Sequence, residues 1–197
     1  SQSFESFYAH VPGLKVVTPS NPYDAKGLLK SAIRDNDPVL IMESEKMYGD
    51  KGEIPEGEYL VPIGKADIKR KGDHITIVSF GKILKVVYQA AEELAKDGVS
   101  CEVIDLRSVR PIDYEAIVSS VKKTNRCVVV EESWPLASIS GEIAYHLQRH
   151  AFDYLDGPVM RVMQADTPFA FSKVLIDEAL PSIKRIIDAV KSSLYVS

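Results

Sequence analysis

An α/β fold, a mostly parallel sheet with helices on both faces, is what this sequence predicts, and three observations carry that reading. Short β-branched, apolar runs recur at Ile75–Ser79, Cys101–Leu106 and Cys127–Glu131, apolar without alternation as strands buried on both faces are. Amphipathic helical stretches separate them, and strands alternating with helices give a parallel sheet with right-handed crossovers. The chain of 197 residues, 45% hydrophobic and 26% charged, is long enough to bury a core in one or two domains.

The elements follow in order. Residues 1 to about 48 read as a loop, a strand at Leu14–Thr18, a helix and a strand at Val39–Glu43. Asn21-Pro22 starts the helix, an Asn cap before a proline whose missing N–H costs nothing there. Ala25, Leu28, Leu29, Ala32 and Ile33 form one apolar stripe, which leaves Asp24, Lys26, Lys30 and Arg34 on the wet side. Pro38 forces a stop before it. Tyr48 to Glu58 is rich in Gly, Pro and charge without periodicity and reads as a linker. A crossing strand is expected near Tyr59–Ala66.

From Asp73 the order is β-α-β. The stripe Ile83, Val86, Val87, Ala90, Ala91, Leu94 ends at Gly98 as at a helical C-cap. Asp113 caps a second helix bearing Ala116, Ile117 and Val121. A third runs from about Gly141 to Arg149, a strand is read at Val159–Val162, and a last helix from Pro181 carries Ile183, Ile186, Ile187, Val190 and Leu194.

Composition narrows the function. A net charge of −4 argues against a nucleic-acid footprint, which is basic and clustered. The longest apolar runs are strand-sized, so neither a membrane span nor a signal peptide is read. Cys101 and Cys127 lie in predicted buried strands with no CxxC spacing, which suits a reducing compartment.

Ser31 to Pro38 is the densest site signal. The last helical carbonyls, around Ala32 to Asp37, lack intrahelical partners and carry the negative end of the macrodipole. Basic residues usually crowd such an end, but here Asp35 and Asp37 do. Converging carbonyls and carboxylates suit a cation that prefers oxygen. The competing reading is a solvated turn whose Asp and Asn bond their own backbone.

Three stretches bring a family into view: Phe7-Tyr8-Ala9-His10-Val11-Pro12-Gly13-Leu14-Lys15-Val16-Val17, Asp24 to Lys30, and Ser31 to Pro38. With Cys101 to Arg107, Arg110-Pro111, Glu131 to Pro135 and Asp166 to Phe169, the chain resembles the beta-subunit family of the pyruvate dehydrogenase component of 2-oxo acid dehydrogenase complexes. Branched-chain 2-oxo acid and acetoin dehydrogenase beta subunits share much of the pattern. The resemblance implies a transketolase C-terminal domain over 59–197, preceded by the tail of a thiamine-diphosphate pyrimidine-binding domain and linker over 1–58. It implies thiamine diphosphate and magnesium in the intact enzyme, held with the alpha subunit, and as partners that subunit, a second beta subunit and the dihydrolipoyl acetyltransferase core. In the resembling proteins the glutamate that activates the cofactor and the active-site His fall ahead of Ser1. The chain is therefore expected to be a C-terminal fragment, inactive alone, from the cytoplasm or, in a eukaryote, the mitochondrial matrix.

The resemblance also implies sites. A potassium-like ion would sit on backbone carbonyls of Ala32, Ile33, Asp35 and Asp37. Asp156, in Tyr154-Leu155-Asp156-Gly157-Pro158, would take part in docking the acetyltransferase core; on residue chemistry alone it is a turn former. His10 is of a type suited to acid-base work near neutrality but reads better as a loop histidine packed against aromatics. Glu131-Glu132-Ser133-Trp134-Pro135 leaves a strand at its carboxyl end, where open α/β sheets bind ligands. It is read as interface or helix-start structure with Trp134 as packing anchor. Ser133 lacks His and Asp partners for a nucleophile. Gly81, Gly98 and Gly141 lie at helix ends and match no phosphate-binding motif. A non-catalytic α/β binding or scaffold module is the alternative of another class.

Overall fold

The computed structural model describes residues 3–196. In chain order the regular elements are α1 (Glu5–Ala9), β1 (Lys15–Val17), α2 (Pro22–Arg34), β2 (Val39–Ile41), β3 (Asp67–Arg70), β4 (Ile75–Ser79), α3 (Leu84–Lys96), β5 (Cys101–Asp105), β6 (Ser108–Arg110), α4 (Tyr114–Thr124), β7 (Cys127–Val130), α5 (Ile139–His150), β8 (Met160–Val162), α6 (Lys173–Ala179) and α7 (Ile183–Leu194). Two sheets result. One is ordered β2-β1-β6, the other β3-β5-β4-β7-β8.

The larger sheet is parallel except for β3, which runs antiparallel to β5 at one edge. Successive side chains of a strand point to opposite faces, and both faces here are apolar. Ile75, Ile77, Val128 and Val130 face α3 and α7, while Val78, Ile104, Cys127 and Val129 face α4 and α5. Helices therefore cover both faces, as the apolar runs predict.

Caps fix the helix starts. The Asn21 side chain accepts from the Asp24 N–H at 2.9 Å, with Pro22 at the first helical position. Asp113 caps α4 through the Ala116 N–H at 3.2 Å, and Ser138 caps α5 through the Gly141 N–H at 3.2 Å. The last helix starts after a Ser182 cap, two residues beyond Pro181.

Four features differ from the sequence reading. No strand forms over residues 59–66. Instead this segment bonds to α2: the Val61 N–H donates to Gly27 O at 3.3 Å and the Ser31 hydroxyl donates to Val61 O at 2.6 Å. Gly27 permits the approach, because a Cβ there would lie 2.4 Å from Val61 Cγ2. The apolar stripe of α2 is only half-covered, with Leu29 at 47% and Ile33 at 74% exposure, while Asp24, expected in water, is fully buried. Cations supply the reason, since Arg107 and Lys69 reach its carboxylate at 2.8 and 3.1 Å. Four short elements, α1, β3, β6 and α6, have no counterpart in the sequence reading. Of these β6 matters most, because it pairs antiparallel with β1 and so gives the first sheet a strand from the C-terminal region.

Candidate functional site

At the carboxyl end of α2, Lys15 from β1 rises between the two acids. Its Nζ donates to both Asp35 carboxylate oxygens at 2.7 Å and lies 3.0 Å from Asp37 Oδ2. That bond, with the Asp37 N–H on Asp35 Oδ1 at 2.9 Å, holds the Asp35 carboxyl below the usual range and lifts the Lys15 amine. The carboxylates are thus occupied by a lysine. Ala32 O accepts only a long bond, from the Asp35 N–H at 3.3 Å.

At the carboxyl edge of the larger sheet, where the connections from β4 and β7 diverge, a second cluster gathers. Glu131 is fully buried behind β7. Its Oε1 accepts the Ser140 N–H at 2.8 Å, so the residue serves the start of α5, while Oε2 has no partner among the described residues. Burial pushes this carboxyl up, against the pull of the Ser140 bonds. Glu132 is raised by burial too and pairs with Lys82 at 3.1 Å. Glu5, from α1, completes the group: burial lifts it to about 7, with Glu132 and Glu131 adding repulsion. In all three, burial favours the protonated carboxyl.

Beside it Trp134 donates its indole N–H to Thr167 O at 2.8 Å and packs on Phe4 with ring centroids 6.2 Å apart. Phe4, Trp134 and Asp166 to Phe169 line an open depression of about 450 Å³. A neighbouring one of about 370 Å³ includes Lys46, Lys82, Lys85 and Glu132. Ser133 is buried with no hydrogen-bond partner among the described residues. His10 is exposed at the end of α1.

Asp156 stands apart, on the turn before β8. Its side chain is 57% exposed and lies 3.3 Å from Arg126 Nη1, while its N–H donates to Asn125 O at 2.9 Å. Arg126 is itself held by Ser193 O at 2.8 Å. The sites named from sequence therefore stay separate: the α2 end, the sheet edge and the Asp156 turn. Among the described residues no group of three or more His, Cys, Asp or Glu side chains could hold a metal. No helix of the described residues is long and apolar enough to cross a membrane. Sequence reasoning missed Glu5, whose only signal was an acid in the first turn of an unrecognised helix.

Comparison with known proteins adds the lineage. Residues 64–186 match the family "Transketolase, C-terminal domain", and residues 1–51 match "Transketolase, pyrimidine binding domain". The mitochondrial pyruvate dehydrogenase E1 component subunit beta of Mus musculus is 49% identical over 100% of this chain and 56% of its own length. The corresponding subunit of Rhizobium meliloti is 45% identical, over 99% of this chain and 43% of its own. The chain thus spans about half the length of the curated relatives it matches. Among solved structures, a split-gene transketolase in an inactive beta4 tetramer superposes with a TM-score of 0.79 at 21% identity, over 98% of this chain and 61% of that one.

Proposed function

The chain belongs to the transketolase family through both matched domains, and we propose that it is part of a pyruvate dehydrogenase E1 beta subunit. The observation that carries this is the 49% identity extending over the whole chain. In the proposed enzyme the beta subunit works with an alpha subunit and a second beta subunit. Together they decarboxylate pyruvate and pass the acetyl group to lipoyl groups on a dihydrolipoyl acetyltransferase core. Thiamine diphosphate with magnesium supplies the carbanion chemistry when bound. The described residues do not fit that group: they offer no glycine-rich phosphate loop and no acidic metal cluster. Their share is support. Residues 1–58 would complete the pyrimidine-binding domain and 59–197 form the C-terminal domain.

Two supporting roles belong to the proposal. The carbonyls of Ala32, Ile33, Asp35 and Asp37 would hold a potassium ion; in support, Lys15 already neutralises the carboxylates, and backbone carbonyl oxygens are potassium ligands elsewhere. Such an ion would brace the end of α2. Asp156, exposed on a turn anchored through Asn125, would present charge to the core.

The test is the alpha-beta enzyme containing this sequence, assayed with pyruvate, a branched-chain 2-oxo acid and acetoin. Preference for pyruvate is expected; faster turnover of either competitor would refute the assignment. Calorimetric titration of the chain alone with thiamine diphosphate and magnesium should be flat, and saturable micromolar binding would show that it does more than support.

A further inference from the structure

We propose that Asp105 is a proton-controlled clasp between the two sheets, closed when its carboxyl is neutral and loosened when it ionises. Five charged side chains meet at this seam. Asp24 comes from α2, Asp67 and Lys69 from the edge strand β3, Asp105 from the end of β5, and Arg107 from the turn into β6. Arg107 Nη2 lies 2.8 Å from Asp24 Oδ1 and 2.8 Å from Asp67 Oδ2, and Lys69 Nζ lies 3.1 Å from Asp24 Oδ2 and 2.6 Å from Asp67 Oδ2. Two cations and two anions balance. Asp105 is the fifth charge, and among the described residues no cationic side chain is bonded to it.

Its partners are neutral. The Ser20 hydroxyl, on the chain leading into α2, lies against Oδ2, and the Arg107 backbone N–H donates to Oδ1 at 3.0 Å. Asp105 and Asp24 are both fully buried. An unpaired carboxylate in such a place bears the desolvation cost of its charge and the repulsion of a like charge, and the proton removes both. From α3 the remaining group facing this site is the Tyr88 phenol, kept neutral by burial and by the Asp105 charge, so it brings no cation. Burial likewise lifts Asp105 to about 6, against the pull of Ser20, the Arg107 N–H and Lys69 and with the push of Asp24.

The backbone makes the group a link between the two sheets. Arg107 sits in the left-handed region at φ 57°, which turns its N–H onto Asp105 while its carbonyl accepts the Thr18 N–H, next after β1, at 2.8 Å. Ser20 and Thr18 belong to the N-terminal part and Asp105 to the C-terminal domain, so the charge state of one carboxyl is felt on both sides.

The sign is fixed by linkage. A carboxyl raised on folding stabilises below its ordinary value, and that contribution is lost as pH rises through the folded value, here between 3.8 and about 6. Asp105→Asn keeps the shape and removes the charge. Thermal melts of the chain and the variant are expected to show Asp105→Asn the more stable at pH 7.5, with the gap narrowing as pH falls through 6 toward 3.8. A variant equal to or below wild type at pH 7.5 would overturn the clasp. Should the variant not fold, the Asp105 carboxyl carbon of the wild-type chain, titrated by NMR, decides. A midpoint nearer 6 than 3.8, shared by the Ser20 and Asp24 amide signals across the seam, supports the proposal; a midpoint nearer 3.8, or amides that do not follow it, overturns it.

Discussion

Replacing Asp113 by alanine removes two anchors held by one buried carboxylate. Oδ1 accepts the Ala116 N–H at 3.2 Å in the first turn of α4, and Oδ2 accepts the Ala66 N–H at 3.1 Å in the segment that leads into β3. Loss of an N-cap costs ~1 kcal/mol. The stranded Ala66 N–H, half-buried and partly open to water, adds about 1 kcal/mol more, the low end for an unsatisfied donor. Lys65, 3.9 Å away and 60% exposed, contributes little because solvent screens it. A loss of about 2 kcal/mol lowers the melting midpoint of a chain this size by roughly 4–8 °C.

Asparagine separates the two anchors. It caps as well as aspartate, but its NH₂ group cannot accept from Ala66, so Asp113→Asn should lose about half as much, roughly 2–4 °C. Scanning calorimetry at pH 7 of the three chains measures this. Equal midpoints for the two variants would mean that the Ala116 cap contributes nothing, and an asparagine variant melting with wild type would mean the same of the Ala66 bond. An alanine variant melting with wild type would refute both assignments.

Three further outcomes are expected. Gly72→Ala places a Cβ 2.2 Å from Cys101 C and 2.3 Å from Glu102 N, backbone that cannot step aside, and should cost about 3 kcal/mol or more by urea denaturation; Gly27→Ala, which meets the Val61 side chain, should cost less. Glu5, raised from 4.5 to about 7 mainly by burial, loses its stabilising contribution as pH climbs through that window; melts of Glu5→Gln should fall less than wild type between pH 5 and 8, and parallel profiles would exclude a neutral Glu5. In the proposed alpha-beta enzyme, Asp156→Asn should weaken binding to the proposed acetyltransferase core at low salt and reduce its salt dependence; a folded variant with both unchanged leaves Asp156 a turn residue.

Legibility from sequence tracked how local each signal was. The larger sheet was readable because Ile75–Ser79, Cys101–Asp105 and Cys127–Val130 are buried on both faces and write their burial into every residue. Caps at Asn21, Asp113 and Ser138 lie next to the N–H groups they serve, although Ser138 was not singled out. Strand β6 was unreadable, since three residues, Ser108 to Arg110, carry no periodicity and their pairing with Val16 and Val17 is made across the whole intervening chain.

Asp24 shows why the α2 stripe misled. Periodicity sorts residues by hydropathy, so it sends an aspartate to water and Ile33 to the core. Two cations more than forty residues away reverse the assignment: Arg107 and Lys69 make burial of Asp24 tolerable, and removing either would strand a charge rather than merely break a bond. Lys15 does the same for Asp35 and Asp37, acids that in sequence looked free to hold an ion. In both places the acid was visible and its counter-charge was not, because the partners come from other strands. The electrostatic character of the N-terminal part is therefore a tertiary property. It arises where β1, β3 and the turn after β5 bring lysine and arginine against α2, and the polar side chains that matter most for joining the two sheets are ones that hydropathy assigns to solvent.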